Sequence, residues 1–383
     1  MLKSLSPKEI TNSKQHTCAE RSRSITVKKI YRHMKYSFIL FLFSFHFLTA
    51  QNIPLYVGTY TGENSEGIYS FDFNTKTGDL SNKKLAIEAE NPSFLTFSAD
   101  KKFLYAVSEA SQGSTVSAYT VNNNNTLNFL NKVSSNGNGP CHIQLNKENN
   151  KAVVSNYGGG TISIYNIQKN GSLSEAFQVI NHNIDSVISH AHSAKFLKNN
   201  LFVADLGRDI LAQYVEKENI YILKENYNMD AGAGPRHFEI SKKGNFIYVI
   251  NELNSTISVL KNDVNNYSNI QNISTLDSNY KGKNSCADIH LSKNEKFLYG
   301  SNRGENTIVV YERDKKSGLL NKIQNISVEG NWPRNFTLSP NGKFLLVANK
   351  ISNNISVFKI AKKSGKLTFL NSVETGSPVC LLF

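Results

Sequence analysis

The sequence predicts an all-β protein, a seven-bladed β-propeller with four antiparallel strands in each blade. Three observations lead there. An apolar strand that ends in a small polar residue recurs seven times, its second residue falling at 56, 105, 153, 202, 248, 299 and 346, a period near 48. Each copy is followed by a Gly/Asn/Ser-rich turn and a strand of period-two alternation, such as Thr161-Ile162-Ser163-Ile164-Tyr165 or Thr307-Ile308-Val309-Val310-Tyr311. Alternation rich in β-branched residues belongs to a half-buried strand. No unit carries an apolar pattern of helical period, which sets aside helical arrays of similar repeat length.

In order, the chain begins with residues outside the repeats. Residues 1–33 are polar and aperiodic and read as a leader foreign to the native domain, with Met34 as the true start. Residues 34–50 read as a secretory signal: a short basic start, the apolar run around Phe38-Ile39-Leu40-Phe41-Leu42-Phe43, and Ala50 before Gln51. The run is short for a membrane span, so no span is expected after cleavage. The other reading is a basic tail before an uncleaved anchor. Export to the periplasm or medium follows from the first; without a signal the protein is cytoplasmic.

The formal charge of +13 is unevenly spread. The first 51 residues hold nine Lys/Arg against two Asp/Glu, and the remaining 332 hold 34 against 28. A mildly basic surface without a basic stripe does not predict a nucleic-acid partner. Of Cys18, Cys141, Cys286 and Cys380 only the last three survive cleavage of the signal, an odd number without the close spacing of a disulfide scaffold or a metal-binding pair, and they read as buried thiols.

The repeats occupy 52–383. Every unit but the first is preceded by a candidate inner strand: Pro92 to Phe97, Pro140 to Leu145, His192 to Phe196, Pro235 to Ile240, Ala287 to Leu291 and Pro333 to Leu338. The missing one stands at the far end, as Pro378-Val379-Cys380-Leu381-Leu382-Phe383, where it can pair with the first unit and close the ring.

The start of each inner strand shares a face with the end of the next strand. Around that face come Cys141, His142, His192, Arg236, His237, Asp288 and Arg334 from the inner strands. Tyr60, Glu109, Tyr157, Leu206, Glu252, Arg303 and Lys350 follow the second strands. A concave mouth with convergent polar groups is the expected site. Arg236, Arg303 and Arg334 predict an anionic ligand, because a guanidinium fork matches carboxylate or phosphate. Glu252, His192 and His237 are the candidates to take a proton from water. His142 and Asp288 complete the polar lining. A purely structural reading pairs Asp288 with Arg303 and Glu252 with Arg236, and leaves Asp288, Asn251, Asn302 and Asn349 as strand-end turn residues. Cys141 and His142, as strand neighbours, are expected on opposite sides, and no cysteine has an evident histidine partner. His190-Ala191-His192 has the form of a metal pair but lacks further ligands at fixed spacing, so no metal is expected. Gly158-Gly159-Gly160 reads as a blade turn.

Leu55-Tyr56-Val57-Gly58-Thr59-Tyr60-Thr61, Gly234-Pro235-Arg236-His237, Tyr248-Val249-Ile250-Asn251-Glu252, Ser301-Asn302-Arg303-Gly304 and Pro340-Asn341-Gly342-Lys343, in that order, resemble the lactonase family of seven-bladed propellers over about residues 53 to 383. The resemblance implies hydrolysis of a sugar lactone without a cofactor, the reference reaction turning 6-phosphoglucono-1,5-lactone into 6-phosphogluconate. The family's proposed site residues match Arg236, Glu252, Arg303 and His192 or His190. On this reading Arg236 and Arg303 hold a phosphate or the developing oxyanion, while Glu252 or a histidine activates water. An exported enzyme would be separated from a cytosolic phosphorylated lactone, so an unphosphorylated lactone is a second expectation. A propeller that binds an anionic sugar or a partner without turnover is the third.

Overall fold

The computed structural model describes residues 52–383 except 63, 111, 112 and 265. The leader and signal readings, 1–33 and 34–50, lie outside the described residues. Seven four-stranded antiparallel sheets follow one another, and no helix stands among the described residues. Blade five shows the plan. Pro235–Ile240 lies innermost, then Phe246–Asn251, Thr256–Asp263 and Asn266–Ser274.

The other inner strands are Phe94–Phe97, Pro140–Leu145, Ala191–Leu197, Ser285–Leu291, Pro333–Leu338 and Pro378–Leu382. Each meets the inner strand of the next blade, and the last meets the first, so they form the wall of a central channel. Pro378–Leu382 pairs antiparallel with the first strand, Asn52–Thr59, setting Val57 opposite Leu381 and closing the ring. Closure removes the free edge that an open sheet would expose.

Adjacent blades are tied by one repeated device. The second strands of blades two, five and six begin Phe-x-Tyr, at Phe103, Phe246 and Phe297. Each tyrosine donates its hydroxyl to a glycine carbonyl in the outer turn of the next blade: Tyr105 to Gly171, Tyr248 to Gly318 and Tyr299 to Gly365, at 2.9 to 3.0 Å. The phenylalanine ring lies against the same glycine. Gly318 has φ +82, and a Cβ there would overlap the Phe246 ring, so the turn requires glycine on both counts. The aromatic residues are buried among Ile, Val and Leu from both blades. Hydrophobic burial between sheets, not any single polar bond, supplies most of the cohesion.

The strand-end asparagines are structural. The Asn251 amide donates to Thr256 and Ser258, Asn302 to Thr275 and Thr307, and Asn349 to Ser356. Cys141, Cys286 and Cys380 are buried free thiols. Gly158–160 form a turn between strands. Among the described residues no helix is long and apolar enough to cross a membrane.

Candidate active site at the channel mouth

At the mouth the pairing between inner and second strands slips by one residue. Slips occur at Gly58/Thr59 and Cys286/Ile289 in blades one and six, and with a polar extra residue at Pro140/His142, Ala191/Ser193, Pro235/His237 and Pro333/Asn335. In these last four the residues left without a pairing partner are Cys141, His192, Arg236 and Arg334. A bulge re-aims the side chain of its extra residue, and here four bulges add a side chain each to the lining. Arg236 Nη1 lies 3.4 Å from His237 Nε2, so these sequence neighbours meet on one side of the strand. The expectation that Cys141 and His142 face opposite ways fails for the same reason. Cys141 Sγ reaches His192, 3.7 Å from Nδ1, and the His192 and His142 rings both pack on His237, at 5.2 and 5.5 Å. The cysteine therefore has a histidine partner that the spacing did not reveal. Burial pushes its thiol up to about 12, so it is no nucleophile at neutral pH.

The centre of the mouth is a carboxylate between two guanidiniums. Glu252 Oε2 lies 3.0 Å from Arg236 Nε and 2.9 Å from Arg303 Nη2. The first contact is an ion pair without the alignment of a hydrogen bond. Gly234 holds this arrangement: its carbonyl accepts the Glu252 N–H at 2.7 Å, and its φ of +64 suits glycine. Arg236 also donates to the Ala287 carbonyl, and Arg303 to Cys286 O at 2.8 Å. Burial, then Arg303, brings Arg236 down to about 10. Among the described residues Arg236 Nη2 and Arg303 Nη1 have no hydrogen-bond partner, which leaves one N–H group on each for a ligand. Arg303 is flattened against Trp332, 5.3 Å to the ring centre.

Below the mouth runs a buried ladder. His237 Nδ1 lies 2.8 Å from Asp288 Oδ1, and Asp288 Oδ2 takes Asn335 at 2.6 Å and lies 3.1 Å from His290 Nε2. His290 Nδ1 lies 3.4 Å from Glu239, which pairs with Lys195 at 3.0 Å. Asp288 is thus a spoke between three inner strands and does not pair with Arg303. The expectation is overturned because Arg303, at the end of its second strand, stays at the mouth beside Glu252, while Asp288 points down the channel. Glu252 does pair with Arg236, as the structural reading expected. Lys195, Glu239 and His290 were missed. Glu239 and His290 stand two residues beyond His237 and Asp288, so period-two alternation was the available signal there, whereas Lys195 stands three beyond His192, its phase shifted by the bulge at Ala191/Ser193.

Burial opposes a charge on the Asp288 carboxyl, yet His290 and His237 hold it well below its ordinary value. Burial would lower His290; Asp288 and Glu239 outweigh this and raise it to about 10. His237, by burial and then Arg236, falls to about 4. Burial also takes His142 and His192 well below the usual histidine value. All three are neutral imidazoles at pH 7. His192 Nε2 has no hydrogen-bond partner among the described residues, whereas His237 is held from both nitrogens. His190 stacks on Tyr157, ring centres 4.5 Å apart. Arg334 lies over the Tyr60 ring at 5.3 Å, with Glu109 3.9 Å away. The outer clefts, including one of about 340 Å³ between blades one and two, contain none of the candidate residues.

A profile of the family described as "Lactonase, 7-bladed beta-propeller" matches residues 54–383. The chain is 32% identical over 291 residues to 6-phosphogluconolactonase of Bacillus subtilis, covering 73% of this chain and 83% of that protein. It is 32% identical over 306 residues to 6-phosphogluconolactonase of Formosa agariphila, covering 74% and 86%. The solved structure of the Pseudomonas aeruginosa periplasmic gluconolactonase superposes with a TM-score of 0.81 at 30% identity, covering 86% of this chain and 98% of that one. With its closed ring of seven blades and its matched residues running from the first strand to the last, this chain belongs to the lactonase family of seven-bladed β-propellers.

Proposed function

We propose that the protein hydrolyses a sugar lactone at the channel mouth, with 6-phosphoglucono-1,5-lactone as the first substrate to test. The observation that supports this is the Glu252 carboxylate fixed between Arg236 and Arg303, each with an unused N–H group. The lactone carbonyl oxygen accepts from these guanidiniums, which stabilise the charge that develops on it. Glu252 takes a proton from water as the water oxygen bonds to the carbonyl carbon. The ring C–O bond then breaks, and the departing oxygen receives that proton, directly or through the neutral His192. His237, held by Asp288 and touching Arg236, positions the guanidinium.

The likeness to a periplasmic gluconolactonase supports a second substrate, glucono-1,5-lactone, for an exported form. Acid release on both lactones, with the spontaneous rate subtracted, separates the two. Glu252→Gln is expected to lower kcat on the order of 10²-fold or more on whichever lactone is turned over. An unchanged rate in that variant would remove Glu252 from the proton transfer.

A further inference from the structure

The mouth has a second cationic corner that the Glu252 cluster does not occupy. Tyr60, after the second strand of blade one, carries Arg334 at 5.3 Å and Lys350 Nζ at 4.8 Å from its ring centre. Glu109 lies 3.9 Å from Arg334, too far for a close pair. Among the described residues Lys350 has no carboxylate within 4.0 Å, and the Arg334 guanidinium makes no hydrogen bond. Two cations face one carboxylate here, so the corner keeps a net positive charge. Arg236 and Arg303 also outnumber their carboxylate, but both lie within 3.0 Å of Glu252 and give three of their N–H groups to backbone carbonyls, so they are held more tightly than the cations of this corner.

A second, independent observation lies between the two centres. Trp332 occupies the place, just before the proline of an inner strand, that Gly139 and Gly234 fill in blades three and five. Its φ is +68, a region that costs a non-glycine residue about 1 to 2 kcal/mol. The Asn306 side chain accepts its N–H at 2.9 Å, its carbonyl accepts the Lys350 N–H at 3.0 Å, and its ring covers Arg303. Asn91 and Ser377 hold the same place before their prolines at φ +42 and +40, so the left-handed turn belongs to the repeat, and what is particular to blade seven is the large ring placed there. Trp332 ties the backbone that carries Lys350 to the guanidinium beside Glu252.

We propose that Tyr60, Arg334 and Lys350 form the subsite for a phosphate monoester on the substrate, and that this corner, not Arg236 or Arg303, selects phosphorylated over neutral lactones. The proposal rests on the lactone reading of the mouth. A phosphate monoester carries about −1.5 to −2 charges and three acceptor oxygens at pH 7. A planar guanidinium and a mobile ammonium over one aromatic face can meet those oxygens from two directions. The phosphate then binds at blades seven and one, while the lactone carbonyl reaches Glu252 across Trp332.

The test uses the full chain and two readouts. Calorimetric titration with inorganic phosphate, 6-phosphogluconate and gluconate measures binding without turnover, and Trp332, the one tryptophan of the sequence, reports the same titrations by fluorescence. Lys350→Met is expected to lower the affinity ratio of 6-phosphogluconate over gluconate about tenfold, with Lys350→Arg restoring most of it. The ratio of kcat/KM for the two lactones should fall by the same factor, through KM. Unchanged ratios in Lys350→Met, or no binding of 6-phosphogluconate by the native chain, would overturn the subsite. Phosphate-selective binding with no turnover of either lactone would uphold the subsite and defeat the hydrolase reading.

Discussion

Where blade two meets three, five meets six and six meets seven, the same bond recurs: a tyrosine hydroxyl on a glycine carbonyl, with a phenylalanine beside it. At the mouth, the bulged position of the same repeat holds Cys141 in blade three, His192 in four, Arg236 in five and Arg334 in seven. Between blades, each side chain must fit a turn of the neighbouring sheet, and the sequence repeats because the neighbour repeats. Over the channel, the side chains meet one another and backbone carbonyls rather than a repeated turn, so each blade can differ. Chemistry is grafted where the packing constraint lapses.

The largest test of the repeating part is to remove its last member. Deleting residues 378–383 exposes the inner edge of blade one, including Leu55 and Val57, and is expected to abolish cooperative unfolding and yield insoluble protein. A soluble variant with a native melting curve would show that six inner strands hold the ring. Gly318→Ala comes next. The strained φ and the overlap with Phe246 are expected to cost about 2 kcal/mol or more by denaturant titration. Tyr299→Phe, which removes one interblade hydrogen bond, should cost about 1 kcal/mol. Equal costs for these two would mean that the bond, not the glycine turn, locks the blades.

The channel groups are expected to make stability depend on pH on both sides of about 6.5. His290 has a folded value near 10 against an ordinary 6.5, so its contribution is fully present below about 6.5 and is lost as pH rises through 10. His142, His192 and His237 are held neutral, His237 down to about 4. Unfolding therefore takes up protons below about 6.5, and stability falls as pH drops toward 4. Denaturation midpoints measured from pH 4 to 10 should fall at both ends, and His290→Gln should flatten the alkaline arm alone. A native alkaline arm in that variant would exclude the ladder as its source.

The blades were legible because periodicity and turn residues are local, and so was ring closure, since one unit lacked an inner strand and one strand lacked a unit. The mouth was legible as a set of residues but not as a set of partners. Asp288 was matched to Arg303 on charge alone, yet depth along the channel gave it His237, His290 and Asn335. Cys141 and His142 were separated by strict alternation, which a one-residue bulge cancels. Glu239 and His290 sat on the predicted strands in phase with His237 and Asp288, and Lys195 sat one residue out of phase with His192, but the pairing of all three depends on how neighbouring blades align, and no hairpin encodes that.

The closing strand also sets a clock. Cys380 accepts the backbone N–H of Leu95 at 3.3 Å, a contact 285 residues apart in sequence. At about 5 to 20 residues per second, a ribosome that has made Leu95 needs roughly 15 to 60 s to reach Cys380. During that interval the first blade has no inner neighbour, and its bare edge can pair with any extended chain nearby. Every growing copy therefore passes through a sticky horseshoe, and crowded polysomes are where this fold is most exposed to error.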